Sequence, residues 1–179
     1  IESVAASFGF DGTGIVSLSG GTTDWTNTGD LTVADFGNGT LNISGGATVS
    51  NTTAVVAGSE NSTASVLVEN TGSKWTTTGN LSVGGTMIAA GGQATLEVRT
   101  GAEAATTGTL RVWGDAEVIL GGGLVTAAQP QPTGGTLSGA GIHAGNLSNS
   151  GVVSPGATPG AISVIGTYDQ TADGTFAVE

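Results

Sequence analysis

The chain has 179 residues, room for one ordinary domain or one solenoid of several coils. Three basic residues stand against fourteen acidic ones, a formal charge of −11 that weighs against nucleic acid and anionic membrane as partners. Absence of cysteine excludes disulfides and thiolate metal sites, and 37% hydrophobic residues set against 9% charged ones exclude a disordered tail.

Residues 1–15 read as a leading coil, with Phe8, Phe10 and Ile15 apolar and Gly12 and Gly14 at turns. From Val16 to Val112 the alternation is regular enough to assign a register. A first strand points inward at Val16/Leu18, then Leu41/Ile43, Val66/Val68 and Leu96/Val98. A single inward position follows each: Trp25, Val49, Trp75, Ala104. A third strand comes next, at Leu31/Val33, Val55/Ala57, Leu81/Val83 and Leu110/Val112. The segment Trp25-Thr-Asn-Thr-Gly-Asp-Leu-Thr-Val33 returns as Trp75-Thr-Thr-Thr-Gly-Asn-Leu-Ser-Val83, a period of about 50 residues that spans two coils. This pattern predicts an all-β right-handed parallel β-helix (a β-solenoid) of about seven coils, roughly 25 residues each, with almost no helix. Its length would be about 35 Å. The two Trp side chains share a slot with Val49 and are expected in the core, each burying roughly 150–250 Å². Residues 84–93 interrupt the third coil as an insertion.

Beyond Val112 the pattern loosens, and residues 113–179 read as irregular terminal coils with a cap-like end. Val118/Leu120 restarts a coil, and Gln129-Pro-Gln-Pro-Thr133 reads as a stiff extended loop. Leu137, Ile142, Leu147, Val152, Val153, Ile162, Val164, Phe176 and Val178 continue the apolar series. The chain begins at Ile1 and ends at Glu179 amid strand-like alternation, so both ends read as cut from a longer precursor. No apolar run is long enough for a transmembrane helix, and no membrane insertion is expected of this segment.

Chemistry-bearing residues are sparse. His143, the single histidine, stands in Gly-Ile-His-Ala-Gly and reads as a surface residue on a coil rather than a catalytic base. The acids show none of the clustering that sugar-cleaving β-helices need, so no catalytic residue is assigned and the chain is read as a non-enzyme. Asp11-Gly-Thr-Gly and Asp173-Gly-Thr read as turns, not as a repeating calcium array, and neither metal nor cofactor is expected. Arg99 falls one coil above Glu69 and predicts an outward ion pair, while Arg111 beside Trp113 predicts a cation–π contact. Thr32, Ser82, Ser17 and Asn42 point outward, but Leu67 and Glu97 share their columns, which breaks the Thr-x-Thr regularity of an ice-binding face. Asn-x-Ser/Thr sequons occur at Asn38, Asn42, Asn51, Asn61, Asn80 and Asn146.

The Trp25–Val33 segment, with Gly39-Thr-Leu-Asn-Ile-Ser-Gly-Gly-Ala-Thr-Val-Ser-Asn51, resembles the repeat of bacterial autotransporter-type passenger proteins. So do Gly134–Gly151 and Val153-Ser-Pro-Gly-Ala-Thr-Pro-Gly-Ala-Ile-Ser-Val-Ile-Gly-Thr-Tyr-Asp-Gln170, the last the most specific. Similar repeats occur in sorting-tag surface proteins. The resemblance implies a secreted solenoid on, or released from, the outer surface of a Gram-negative bacterium, and it brings no shared catalytic residues. The expected function is a surface-displayed structural or adhesive module. Its expected partners are other surface proteins, copies of itself, or surface and matrix glycans. A filament or sheath subunit and a glycan-binding or glycan-processing β-helix are the alternatives.

Overall fold

The computed structural model describes residues 1–156 and 160–178, with the side chain of residue 130 excepted. Residues 157–159, within the Ser-Pro-Gly-Ala-Thr-Pro-Gly motif, lie outside the described residues, as does residue 179. Every regular element among the described residues is a strand, and all paired strands are parallel apart from two isolated bridges. Val, Ile and Thr at alternating positions favour this, because branched side chains pack well on a pleated surface.

The pairings form three stacks. In the first, Thr13–Ser19 pairs with Asn38–Ser44, which pairs with Thr63–Val68, which pairs with Gln93–Arg99. In the second, Asp24–Asn27, Thr48–Asn51, Lys74–Thr77 and the start of Glu103–Trp113 lie side by side. In the third, Ala6–Phe8, Leu31–Val33, Ala54–Val56, Leu81–Val83 and the end of Glu103–Trp113 do the same. Like positions therefore stack on like positions, at about 4.8 Å per rung, and apolar columns face one interior. Leu31, Val33, Leu41, Ile43, Val56, Val66, Val68, Val83, Leu96 and Val98 are wholly buried there. The fold is β-solenoid-like.

One register differs from the sequence reading. Ala54 and Val56, not Val55 and Ala57, continue the inward columns of Leu31 and Val33, and Val55 faces outward between Thr32 and Ser82. The cause is a shorter corner: Asn51 reaches its strand across Thr52-Thr53, whereas Asn27 crosses Thr28-Gly29-Asp30. One residue fewer moves the whole strand to the other parity. Ala57 is still buried, but at the corner that follows, which requires left-handed backbone. Gly9 and Gly84 satisfy that corner freely at φ 71° and 79°, while Ala34 and Ala57 are held there at 61° and 58°.

The stacks continue past Val112 into the region expected to be irregular. Strand Ala116–Thr133 bends around all three faces, pairing in turn with Gln93–Arg99 and with both parts of Glu103–Trp113. Thr136–Ala144, Val152–Pro155, Ile162–Ile165 and Thr175–Phe176 follow on the first two stacks. Successive first-stack partners Leu96, Val118, Leu137 and Val153 are separated by progressively fewer residues, so the corners tighten. The loop expected at Gln129–Thr133 is strand instead, in register with Thr109–Trp113. Its prolines leave their mark above it: they present no N–H to the next rung, and Leu147–Asn149 with Tyr168–Gln170 forms a separate two-stranded sheet. A bond from Ser150 N–H to the Pro132 carbonyl still bridges that gap.

Candidate functional site

In the lower rungs, interior polar groups hold the tryptophans and the neighbouring backbone. Asn27, Asn51, Thr77 and Thr106 form one buried column beside the tryptophans. Trp75 Nε1 donates to Asn51 Oδ1 at 2.7 Å, and Asn51 Nδ2 donates to the Thr53 carbonyl at 2.9 Å and to Thr77 Oγ1 at 3.2 Å. Trp25 Nε1 donates to Ser3 Oγ, which donates to Asn27 Oδ1, and Asn27 Nδ2 reaches the Asp30 carbonyl. Both tryptophans are core residues, as their slot predicts. Asn51 is buried by these bonds, so its sequon is closed to a glycan.

His143 is not on the surface. It occupies the inward column of the second stack, above Val125, the slot that Trp25, Val49, Trp75 and Ala104 fill lower down. Its relative exposure is 0%, and neither ring nitrogen has a hydrogen-bond partner. Burial lowers its pKa to about 4, so the ring is neutral near pH 7. The period-two alternation through Ile142, His143 and Ala144 carried that signal, with Ile142 outward and 42% exposed.

The insertion folds back over the third stack. Ser82 points outward from its strand as the register requires, yet it is buried because the insertion covers it. The Thr86 carbonyl accepts from Ser82 Oγ at 2.9 Å and from Trp113 Nε1 at 2.7 Å. Arg111 donates to the Met87 carbonyl and to Gln131 Oε1, and its guanidinium lies 5.4 Å from the Trp113 ring centre. The expected cation–π contact is therefore present, roofed by a loop whose apolar tip, Ile88, is 91% exposed. On the first stack, Arg99 bridges Glu69 and Glu97, each at 2.8 Å. The hydrogen bonds that the guanidinium donates to Glu97 and then to Glu69 raise its pKa.

The most regular outward surface belongs to the second stack, and the sequence reading looked at other columns. Thr26 pairs with Ser50, Ser50 with Thr76, Thr76 with Ala105, Ala105 with Thr126. Two residues further along each chain stand Thr28, Thr52, Thr78, Thr107 and Ala128. Hydroxyls of this second column bond downward to backbone: Thr52 to the Thr28 carbonyl at 2.8 Å, Thr78 to Asn51 at 3.5 Å, Thr107 to Thr78 at 2.5 Å. The upper part of the face, from Thr76 to Ala144, holds a shallow apolar trough of about 420 Å³. The signal was in the repeat itself, as Thr26-Asn-Thr28, Ser50-Asn-Thr52 and Thr76-Thr-Thr78, each bracketing one inward polar residue.

Among the described residues, no three His, Cys, Asp or Glu side chains converge as a metal-sized group. No family model, curated protein or solved structure matches the chain.

Proposed function

We propose that the chain is a right-handed β-solenoid of about seven coils that serves as an extracellular, surface-displayed structural or adhesive module. The observation that carries this reading is the in-register stacking of parallel strands on three faces around one apolar interior, continued above Gln129–Thr133 on the third face by a separate two-stranded sheet. Such a rod projects its faces and corner loops at fixed spacing and offers proteases few open segments. The autotransporter-type resemblance of Trp25–Asn51 and Gly134–Gln170 supports placement on or outside a Gram-negative cell, with surface proteins or matrix glycans as partners.

A second reading, a self-stacking filament subunit, has its own support. Ala6, Phe8 and Val16 at one end and Val164 at the other are only partly buried. Ile1 is 83% exposed at the first end, and Phe176 is 50% exposed at the second. Strand edges with apolar neighbours are templates for a further strand. Light scattering after size-exclusion chromatography, with negative-stain images of the same fractions, separates the readings. A short monomeric rod of about 17.2 kDa supports the solitary module. Fibres of uniform width replace it with the filament, and a compact sphere overturns both.

A further inference from the structure

We propose that Arg111, Trp113 and Ser82, on the outward face of the third stack, form a site for the carboxylate of a uronic-acid saccharide, latched shut by the 84–93 insertion. This names a ligand class for the adhesive module above and rests on that reading only for the presence of glycans. Particle shape in solution decides the module, and the binding experiment below does not read shape, so either can fail alone.

Of the three basic side chains, two already have carboxylates: Lys74 meets Glu103 at 3.0 Å, and Arg99 bridges Glu69 and Glu97. Arg111 meets only neutral oxygens, the Met87 carbonyl at 2.6 Å and Gln131 Oε1 at 2.8 Å. Its Nε is buried and has no hydrogen-bond partner among the described residues. A guanidinium presents Nε–H and one Nη–H as a fork that matches both oxygens of a carboxylate. Gln131 takes one arm of that fork, and Nε is the other. The surrounding rungs add no negative charge: Leu81–Val83, Thr109–Trp113 and Gln129–Thr133 contain neither Asp nor Glu. Asp115, the nearest acid in sequence, has already turned onto the first stack, where its carbonyl accepts from Ala94 N–H. More distant acids are screened beyond about 8 Å at physiological ionic strength.

What occupies these donors now is the insertion itself. It is a small hairpin, closed by a Gly85–Ala90 bridge and by bonds from Gly91 N–H to the Gly84 carbonyl and from Thr86 N–H to the Ala89 carbonyl. Three side-chain bonds hold it against the third stack, and all three end on two adjacent backbone carbonyls. Ser82 Oγ and Trp113 Nε1 donate to Thr86, and Arg111 donates to Met87. Gly85 lies so close to the indole that a Cβ there would stand 2.8 Å from Trp113 Cδ1. Neutral carbonyls are the weaker acceptors for a guanidinium, since a carboxylate forms bonds roughly twice as strong. A carboxylate therefore competes for the same donors, and glycines at both feet of the hairpin let it lift as a unit.

The surroundings favour a sugar as the bearer of that carboxylate. Lifting the hairpin uncovers the indole of Trp113, an apolar platform for a sugar ring beside a donor for its oxygens. Gln129, Gln131 and Thr133, in register with Thr109, Arg111 and Trp113, add amide and hydroxyl groups along the same face. An acidic peptide is the poorer fit. The site lies on the face of a sheet whose backbone groups pair up and down the ladder, so an extended peptide finds no edge to join.

The test is titration calorimetry with a galacturonate trimer, its methyl ester and a triglutamate peptide. It is run on the native chain and on a short chain in which a two-residue Asn-Gly turn replaces Thr86–Ala89, a length that the Gly85–Ala90 bridge accepts. The acid trimer should bind, and its ester at least tenfold more weakly. The short chain should bind the trimer several-fold more tightly, because no carbonyl competes. Arg111→Gln should lose at least tenfold and Arg99→Gln nothing, with circular dichroism confirming each fold. Should Arg111→Gln fail to fold, Arg111→Lys keeps the charge without the fork and should still lose several-fold. Binding by the short chain alone also supports the site, since the latch then outcompetes the trimer. No binding by any folded chain overturns the proposal. So does equal binding of the ester, full affinity in the Arg111 variants or an equal loss from Arg99→Gln. Triglutamate binding as tightly as the trimer overturns the saccharide as ligand.

Discussion

Asn51 and His143 both face the interior from the second stack, and the molecule treats them in opposite ways. Asn51 sits in the lower region with its amide fully engaged, accepting from Trp75 and donating to Thr53 and Thr77. His143 sits in the upper region with two polar nitrogens and no partner for either. A partnered polar group in a low-dielectric interior specifies register, because only one arrangement satisfies it. An unpartnered one only subtracts. On the second stack, the lower rungs are therefore pinned by polar chemistry, and the rung of His143 is held by apolar packing. The engaged amide of the upper region, Asn149, lies on the separate two-stranded sheet, donating to the Thr175 carbonyl and accepting from Gly151 N–H.

The largest effect should come from breaking the pinned region at its bulkiest member. Trp75→Ala removes a side chain that is 1% exposed and strands the Asn51 carbonyl oxygen as well. A loss of about 3–5 kcal/mol is expected for such a cavity, read from the urea midpoint with the denaturant slope unchanged. Trp25→Ala should cost less, because Trp25 is 8% exposed and lies nearer the open end.

The unpartnered region is sharpened by pH. The folded-state pKa of His143 is about 4, below the unfolded value of about 6.5. As pH falls, the unfolded chain takes up the proton first. Stability contributed by the neutral ring is thus whole above about pH 6.5 and drains away toward about pH 4, by about 3 kcal/mol in all. His143→Leu should flatten that part of the pH profile and raise stability at pH 7. A variant with the native slope between pH 6.5 and 4.5 would mean the ring finds a proton-accepting partner in solution.

Next comes Asn51→Leu, which keeps the volume and deletes the amide. It leaves Trp75 Nε1 unpaired, while the Thr53 carbonyl keeps its bond from Leu31 N–H, an expected cost of about 1–3 kcal/mol. Thr77→Val, which removes one member of the same column, should cost less. The double variant should be subadditive, since both share the 3.2 Å bond.

Much of this was legible in the chain. Periodicity placed the inward columns Val16/Leu18 through Leu96/Val98, and the outward pairing of Arg99 with Glu69 followed from the same register. It failed where a corner changed length, at Thr52-Thr53, because alternation fixes parity within a strand and says nothing about how many residues a turn consumes. Gln129–Thr133 was misread because proline argues against strand pairing only where its missing N–H is needed. His143 was misread because residue type outweighed parity. The outward Thr/Ser/Ala columns of the second stack were passed over although the repeated triplets beside the tryptophan slot carried them; the hydroxyl-to-backbone bonds from Thr52 to Thr28 and from Thr107 to Thr78 appear only once the rungs are stacked.

The smallest effect should come from the outward ion pairs, and it completes the contrast. Arg99 holds two carboxylates in solvent-exposed geometry, so water and salt already screen most of what the bonds supply. Arg99→Ala should leave the thermal midpoint nearly unchanged in moderate salt, with a small loss that appears only at low ionic strength. Arg111→Ala is the informative partner. That guanidinium ties the insertion to Gln131 and covers Trp113, so its removal should free the 84–93 loop to amide exchange while the ladders stay protected. Faster exchange confined to that loop would show that the same residue type does little on an open rung and much beneath a roof, because what differs is the water its bonds exclude.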